Sequence, residues 1–352
     1  MPLLTTTIGS YPKPAGVHVP NWFDVRRRHA PDEWHPTQAY DAYLAAVRGS
    51  QEEALDRGTV VVVREQVANG VDIPTDGEIR REHYIYYQCR NFTGFDFAGL
   101  TRKSMRQGSW SAEVPTVRGL IRSERPILQR DWSVAQASTD RPVKMTLPGP
   151  MTVIDSTADT YYGDEHRLAA DLSDALNAEI RALAEAGCRW VQIDEPVFAR
   201  EPQRALDFGV EMLDRCFHNV PATTKRAVHI CCGYPSSLDI VDYPKAEPGT
   251  YFRLAPALEA AAIDAVSIED AHRHNDLALL EHFPTKTVML GVVGIARTRI
   301  ETVEEISTRL RAALEHIDAH RLMAAPDCGL IMLDRPRVIA KLGNLSKAAH
   351  AL

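Results

Sequence analysis

The chain has 352 residues, of which 45% are hydrophobic and 25% charged, with a formal net charge of -7. These are ordinary globular proportions that exclude a disordered, collagen-like or coiled-coil chain, and the acidic balance gives no footprint for nucleic acid or an anionic membrane, so the expected partner is a small molecule. No apolar run of about 18 residues occurs, and Met1 to Thr7 has neither a basic n-region nor an apolar h-region, so a cytoplasmic protein is expected. Six cysteines in so long a chain are too few for a disulfide scaffold; in a reducing compartment, clustered Cys and His point to metal or catalysis.

Short apolar runs alternate with amphipathic stretches along the chain. The runs are Leu4 to Gly9, Asp72 to Thr75, Val143 to Leu147, Trp190 to Ile193, Ala227 to Cys231, Ala265 to Ile268, Thr287 to Val293 and Leu322 to Ala325. Between them lie Glu165 to Ala186, Pro202 to Phe217, Asn275 to His282, Val303 to His316 and Arg335 to Ala348, each long enough for a crossover helix. Eight strands with intervening helices predict an α/β protein, a single (β/α)8 TIM barrel spanning 1–352. An open doubly wound sheet is disfavoured, because no run is followed by G-x-G-x-x-G or a phosphate loop. The segment Gln107 to Trp132 reads as an inserted hairpin and loop before the third strand. A second insertion, Tyr234 to Tyr251, carries three Pro and no clear helix.

In such a barrel the chemistry collects at the C-terminal ends of the strands. The fifth run ends in His229-Ile230-Cys231-Cys232-Gly233, where alternation turns His229 and Cys231 to one side and Cys232 to the other. The sixth ends in Ser267-Ile268-Glu269-Asp270, and the eighth leads into Pro326-Asp327-Cys328-Gly329. Two thiols, an imidazole and a carboxylate suit tetrahedral Zn2+, although their spacing is not that of a structural zinc finger. Cys232 could replace Cys231 or face the helices. A cysteine near a strand end is ordinarily a small buried hydrophobe, and that role is assigned to Cys89, Cys188 and Cys216. Asp76-Gly77-Glu78 and Asp194-Glu195-Pro196 place paired acids at two further strand ends, where they could bind an amine, orient a base or cap a helix. Ile8-Gly9-Ser10 brings backbone close to any ligand there, as a simple turn also would. His272-Arg273-His274 and Arg80-Arg81-Glu82-His83 read as solvated helix starts rather than anion sites.

Taken in order, Thr-Ile-Gly-Ser at 7–10, Asp-Gly-Glu at 76–78, Leu-Pro-Gly-Pro-Met-Thr at 147–152, Gln-Ile-Asp-Glu-Pro at 192–196, His-Ile-Cys at 229–231, Ser-Ile-Glu at 267–269 and Pro-Asp-Cys-Gly-Leu at 326–330 resemble the C-terminal catalytic barrel of cobalamin-independent methionine synthase and its short single-domain relatives. The resemblance covers nearly the whole chain. It implies a zinc-dependent thiol methyltransferase of methionine biosynthesis, with Zn2+ as cofactor held by His229, Cys231, Glu269 and Cys328. It implies further that Glu269 is the ligand displaced when the thiol enters, that Glu78 and Asp194 hold the amino group of homocysteine, and that the backbone of Ile8, Gly9 and Ser10 lies near its carboxylate.

The departures from that family matter equally. Full-length members carry a Trp that stacks on the pterin where this chain has Ser156. They also carry Asp-Ile-His-Ser-Pro-Arg after the seventh strand, where this chain reads Gly294-Ile295-Ala296-Arg297-Thr298-Arg299. The thiol-activating half is thus retained and the folate-protonating half is not, which points to methylcobalamin or a methyl-corrinoid protein as donor ahead of methyltetrahydrofolate. The competing reading is a zinc alkyltransferase acting on another thiol, as in epoxyalkane:coenzyme M transfer. That sulfonate-bearing substrate would call for Arg or Lys partners rather than Glu78 and Asp194. A metal-binding barrel without catalysis is the third reading.

Overall fold

The structure is a computed structural model and describes residues 2–19, 42, 45, 50–105, 110–235, 237–240 and 243–352. Runs such as Ala265 to Glu269 and Val288 to Val293 are buried at successive positions, as strands of a parallel sheet covered on both faces are. They form β1 (Leu4–Thr5), β4 (Lys144–Pro148), β6 (Trp190–Asp194), β7 (Lys225–Ile230), β8 (Ala265–Glu269), β9 (Thr287–Val293) and β10 (Leu322–Pro326). They pair in parallel in the order β1-β10-β9-β8-β7-β6-β4. The remaining edges meet through the expected second run, which is reduced to two parallel bridges, Thr6 with Ile73 and Thr75 with Lys144. Pro74 explains the reduction: its carbonyl accepts from the Lys144 N–H at 2.8 Å, but it has no N–H to return. Asp72 completes the seam by accepting from the Thr5 backbone N–H at 2.9 Å. The eight expected strand positions are therefore all present, as a ring with one weak member.

Inside the ring Ile8, Ile73, Ala227, Ala265, Met289, Met323 and Ala325 pack as one cluster, so the barrel is filled rather than hollow. The larger apolar cluster lies between the strands and the helices. Crossover helices form at Glu165–Glu185, capped by Asp164, at Val303–Ala313, opened by a Thr302/Glu305 capping box, and at Arg335–His350, capped by Asp334. Two expected helices differ. Asn275 to His282 is only a 3-10 turn at Leu277–His282. Pro202 to Phe217 contains a π segment at Ala205–Gly209, where Gly209 lets Met151 approach: a Cβ there would lie 2.4 Å from its sulfur. An additional helix, Ser50–Ala68, is one the sequence reading did not mark.

The expected insertion exists but begins earlier. Its hairpin is β2 (Phe95–Met105) against β3 (Trp110–Val117), joined by the two-residue β5 (Ala158–Asp159), and Trp132 lies in the helix Leu128–Gln136 rather than in a loop. Residues 106–109, part of the expected segment, lie outside the described residues. The second insertion is irregular in its described part and ends in the helix Thr250–Ala260. Among the described residues, no helix is long and apolar enough to cross a membrane.

Glu195 shows how tightly the mouth of the barrel is built. Its carboxylate caps the neighbouring helix Pro150–Asp155 rather than its own, accepting from the Met151 and Thr152 N–H groups at 2.9 and 3.0 Å and from the Thr152 hydroxyl at 2.7 Å. Gly149 is required beside it, because any Cβ there would collide with the carboxylate. Burial raises the Glu195 carboxyl to about 8 against its ordinary 4.5. A carboxyl raised on folding contributes stability below its ordinary range and loses it as pH climbs toward the folded value. Wild-type melting temperature is expected to decline between pH 4.5 and 8 more steeply than that of Glu195→Gln. Parallel pH profiles in differential scanning calorimetry would contradict this.

Candidate metal centre and its pocket

β7, β8 and β10 deliver the chemistry to one place. The ligand atoms of His229, Cys231 and Cys328 all lie within 4.8 Å of one another. His229 is oriented by a second partner: its Nδ1 lies 2.9 Å from the Ser267 hydroxyl on β8. Its buried Nε2 has no hydrogen-bond partner among the described residues. An imidazole tethered at one nitrogen and bare at the other, beside two thiols, is the donor set of a tetrahedral soft-metal site.

The thiols are not equivalent. The hydrogen bond with Cys328, and then His229, hold the Cys231 thiol well below its ordinary range; that same bond, followed by burial, pushes Cys328 up. One thiolate forms readily and the second is opposed by the first, so a bound cation is what would let both ionise.

Glu269 stands at the end of β8 but outside this three-atom cluster. Its Oε2 is 3.9 Å from the Lys245 ammonium, and burial pushes its carboxyl up. Of the four expected ligands, three therefore converge and the fourth leans toward a lysine. Asp327, next to Cys328, accepts from the N–H groups of Asp270, Ala271 and His272 at 2.9, 2.8 and 2.7 Å, fixing the loop that follows Glu269. Cys232 packs in the outer apolar cluster, which resolves its alternative in favour of the helix side. Cys89, Cys188 and Cys216 are buried as expected, and burial raises all three thiols.

The second constellation is acidic. Gln192 on β6 donates to Asp194 Oδ1 at 2.7 Å and to the Ile8 carbonyl at 2.8 Å, joining the amine-binding candidate to the first strand. Burial pushes the Asp194 carboxyl to about 7. Glu78 adopts φ of 54° and approaches Gly9 so closely that a Cβ there would lie 2.8 Å from its carboxylate oxygen. Lys13 secures the turn through the carbonyls of Glu78, Ile79 and Arg81 at 3.1, 2.9 and 3.2 Å. On the other flank, the Ser10 carbonyl accepts from Leu330, and Gly329 leaves room for the Ser10 hydroxyl. Ile8, Gly9 and Ser10 thus run between Glu78 and the Cys328 loop.

Arg81 corrects the reading of its stretch as a solvated helix start. It is 5% exposed, 3.3 Å from Glu78 and 3.7 Å from Asp76, and donates to Thr146 at 3.1 Å. The sequence clue was Arg81 itself, three positions after an acid at a strand end. His272 is also not a solvated cation: its Nε2 accepts from the N–H groups of Ile295 and Ala296 at 3.0 and 3.2 Å, and burial pulls it to about 3.

This combination is a (β/α)8 barrel with an imidazole and two thiols at its mouth, a group that could hold a metal ion, near buried carboxylates. The family described as cobalamin-independent synthase, catalytic domain, matches residues 3–351, and the chain belongs to it; the family's enzymes are methyltransferases. Methionine synthases of Saccharolobus islandicus and Thermococcus kodakarensis are 30% and 29% identical, covering 98% and 99% of this chain and 93% and 94% of theirs. A solved B12-independent methionine synthase from a Shewanella species, in complex with selenomethionine, is 29% identical with a TM-score of 0.85, covering 100% of this chain and 98% of that one.

Replacing Arg81 by Met leaves Asp76 and Glu78 buried without the guanidinium that pairs with both, and breaking such a pair is expected to cost about 3–5 kcal/mol. Urea unfolding reads the loss; an unchanged midpoint would contradict the assignment of Arg81 as their counter-charge.

Proposed function

We propose that this protein is a zinc-dependent methyltransferase that places a methyl group on the thiol of homocysteine, giving methionine, with a methyl-corrinoid as donor. The observation that carries the reading is the convergence of His229, Cys231 and Cys328 close to the buried carboxylates of Asp194 and Glu78. The bare Nε2 of His229 and the thiol pair fit a zinc ion, with Glu269 as the fourth ligand. Bound there, Zn2+ would keep a substrate thiol ionised at neutral pH while leaving its sulfur nucleophilic.

The chain's own residues do the rest. Asp194 and Glu78 receive the substrate ammonium, whose charge favours the ionised form of an Asp194 carboxyl that burial otherwise holds near 7. Gln192 keeps Asp194 aligned with the Ile8 carbonyl. The backbone of Ile8, Gly9 and Ser10 accommodates the substrate carboxylate, so the amino-acid end is fixed and the sulfur is aimed at the cluster. The selenomethionine in the Shewanella protein, an amino acid bearing a methylated selenium, supports a pocket of this kind.

The donor reading rests on proton supply. A folate nitrogen must be protonated as it departs, and general-acid help contributes about a hundredfold or more. The loop after β9 offers Ala296 where an acid would stand, and the imidazole touching it, His272, accepts hydrogen bonds at Nε2 and stays neutral there. A cobalt centre departs without a proton. In this reading the corrinoid is a consumed donor, not a resident cofactor.

Zinc analysis followed by assays of homocysteine with methylcobalamin, with methyltetrahydrofolate and without donor tests the proposal. About one zinc per chain and turnover with methylcobalamin alone are expected. Turnover with the folate would overturn the donor, turnover only with coenzyme M would move the thiol to the alternative reading, and absence of zinc would sink the function. Asp194→Asn is expected to raise the KM for homocysteine about tenfold or more with a smaller change in kcat, since a buried charged contact to the ammonium is lost. An unchanged KM would remove Asp194 from the pocket.

A further inference from the structure

Lys245 belongs to the insertion between β7 and the helix Thr250–Ala260, and nothing in the reading above uses it. The insertion folds back onto the end of β7. Ala246 donates its N–H to the Cys232 carbonyl at 2.8 Å, and Gly233 permits the approach, because a Cβ there would lie 2.6 Å from the Pro244 carbonyl oxygen. This places the Lys245 ammonium 3.9 Å from Glu269 Oε2 and 4.7 Å from the centre of the Tyr243 ring. Glu269 is buried at 4% exposure and Lys245 partly so at 14%, and among the described residues neither Lys245 Nζ nor Glu269 Oε2 has a hydrogen-bond partner.

The backbone of Glu269, by contrast, is pinned. Its N–H donates to the Tyr251 hydroxyl at 3.1 Å, that hydroxyl donates to the Ile230 carbonyl at 2.7 Å, and the Glu269 carbonyl accepts from Asn275 at 2.6 Å. The side chain is held only in part: the Cys232 backbone N–H reaches the carboxylate, while Oε2 is left without a partner between the thiol–imidazole cluster and the ammonium.

We propose that Lys245 is a positioning residue that receives the Glu269 carboxylate when the substrate thiol takes its place at the metal. The inference rests on the zinc-dependent reading above. A carboxylate released into a buried space carries a large desolvation cost unless a counter-charge awaits it. Lys245 supplies that charge, and the face of Tyr243 holds it in place without consuming its hydrogen bonds. With a metal held by His229, Cys231 and Cys328, the thiol would enter as thiolate, its proton passing to solvent, and the Glu269 carboxylate would turn to Lys245, so the charge there would be unchanged. Lys245 therefore sets the balance between the resting and the thiol-bound site.

The test uses the zinc-loaded full chain and two variants, Lys245→Met and Lys245→Arg, with folding checked by thermal melting. Zinc affinity is read by competition with a chromophoric chelator, without substrate, and homocysteine affinity by isothermal titration. Lys245→Met is expected to hold zinc several-fold more tightly and to bind homocysteine about tenfold more weakly, a shift of about 1.4 kcal/mol. Lys245→Arg, which keeps the charge, is expected to match the wild type in both. Wild-type affinities in Lys245→Met, or the Met behaviour in Lys245→Arg, would overturn the role of Lys245 while leaving the zinc reading standing. A wild-type chain that takes up no zinc would overturn that reading and this inference with it.

Discussion

Negative charge that has to be buried is the constraint on which the barrel mouth depends. Cys231, Cys328, Glu269 and Asp327 crowd one side of it, and Asp76, Glu78 and Asp194 the other, all within walls of low dielectric. Each half handles the problem differently. The acidic side has buried cations in Arg81, Lys13 and Lys144, with Gln192 and Thr146 supplying hydrogen bonds. On the sulfur side Lys245 stands off at Glu269, and the bare imidazole nitrogen of His229 faces two thiols; the proposed zinc would supply positive charge there.

The fold serves this arrangement by bringing distant residues together at strand ends. Ile8, Glu78, Asp194, His229, Glu269 and Cys328 come from six different strand positions, and each is fixed by contacts to the next. Gln192 ties Asp194 to the first strand, Ser267 holds the ring of His229, and Asp327 fixes the loop after Glu269. The glycines follow the same logic. Gly9, Gly149 and Gly291 stand where a Cβ would press on Glu78, Glu195 and Asp327 respectively, so backbone was kept bare where carboxylates pack against it.

Much of this was legible in the sequence because periodicity and strand-end position carry the information. The apolar runs from Trp190 to Ile193 and from Thr287 to Val293 name their strands without help, and the alternation in His229-Ile230-Cys231 puts both ligands on one side. What the sequence hid depends on distant partners. The second strand dwindles to bridges because Pro74 removes a donor, and a register shift between Asp96 and Thr101 breaks the alternation that would have marked the start of the hairpin at Phe95. Arg81 and His272 looked like surface charges because nothing local reveals that Asp76, or the Ile295 and Ala296 amides, lie against them. Glu195 was one of two plausible amine ligands by position, and only its partners show that it caps a different helix.

In the proposed function a substrate thiol becomes a ligand of a metal held by His229, Cys231 and Cys328. X-ray absorption at the zinc edge, on the zinc-loaded protein with and without homocysteine, tests it most directly. The account predicts that the sulfur count at zinc rises from two to three when homocysteine is added, at the expense of the oxygen assigned to Glu269. Zinc that retains two sulfurs and its oxygen at saturating homocysteine would contradict it.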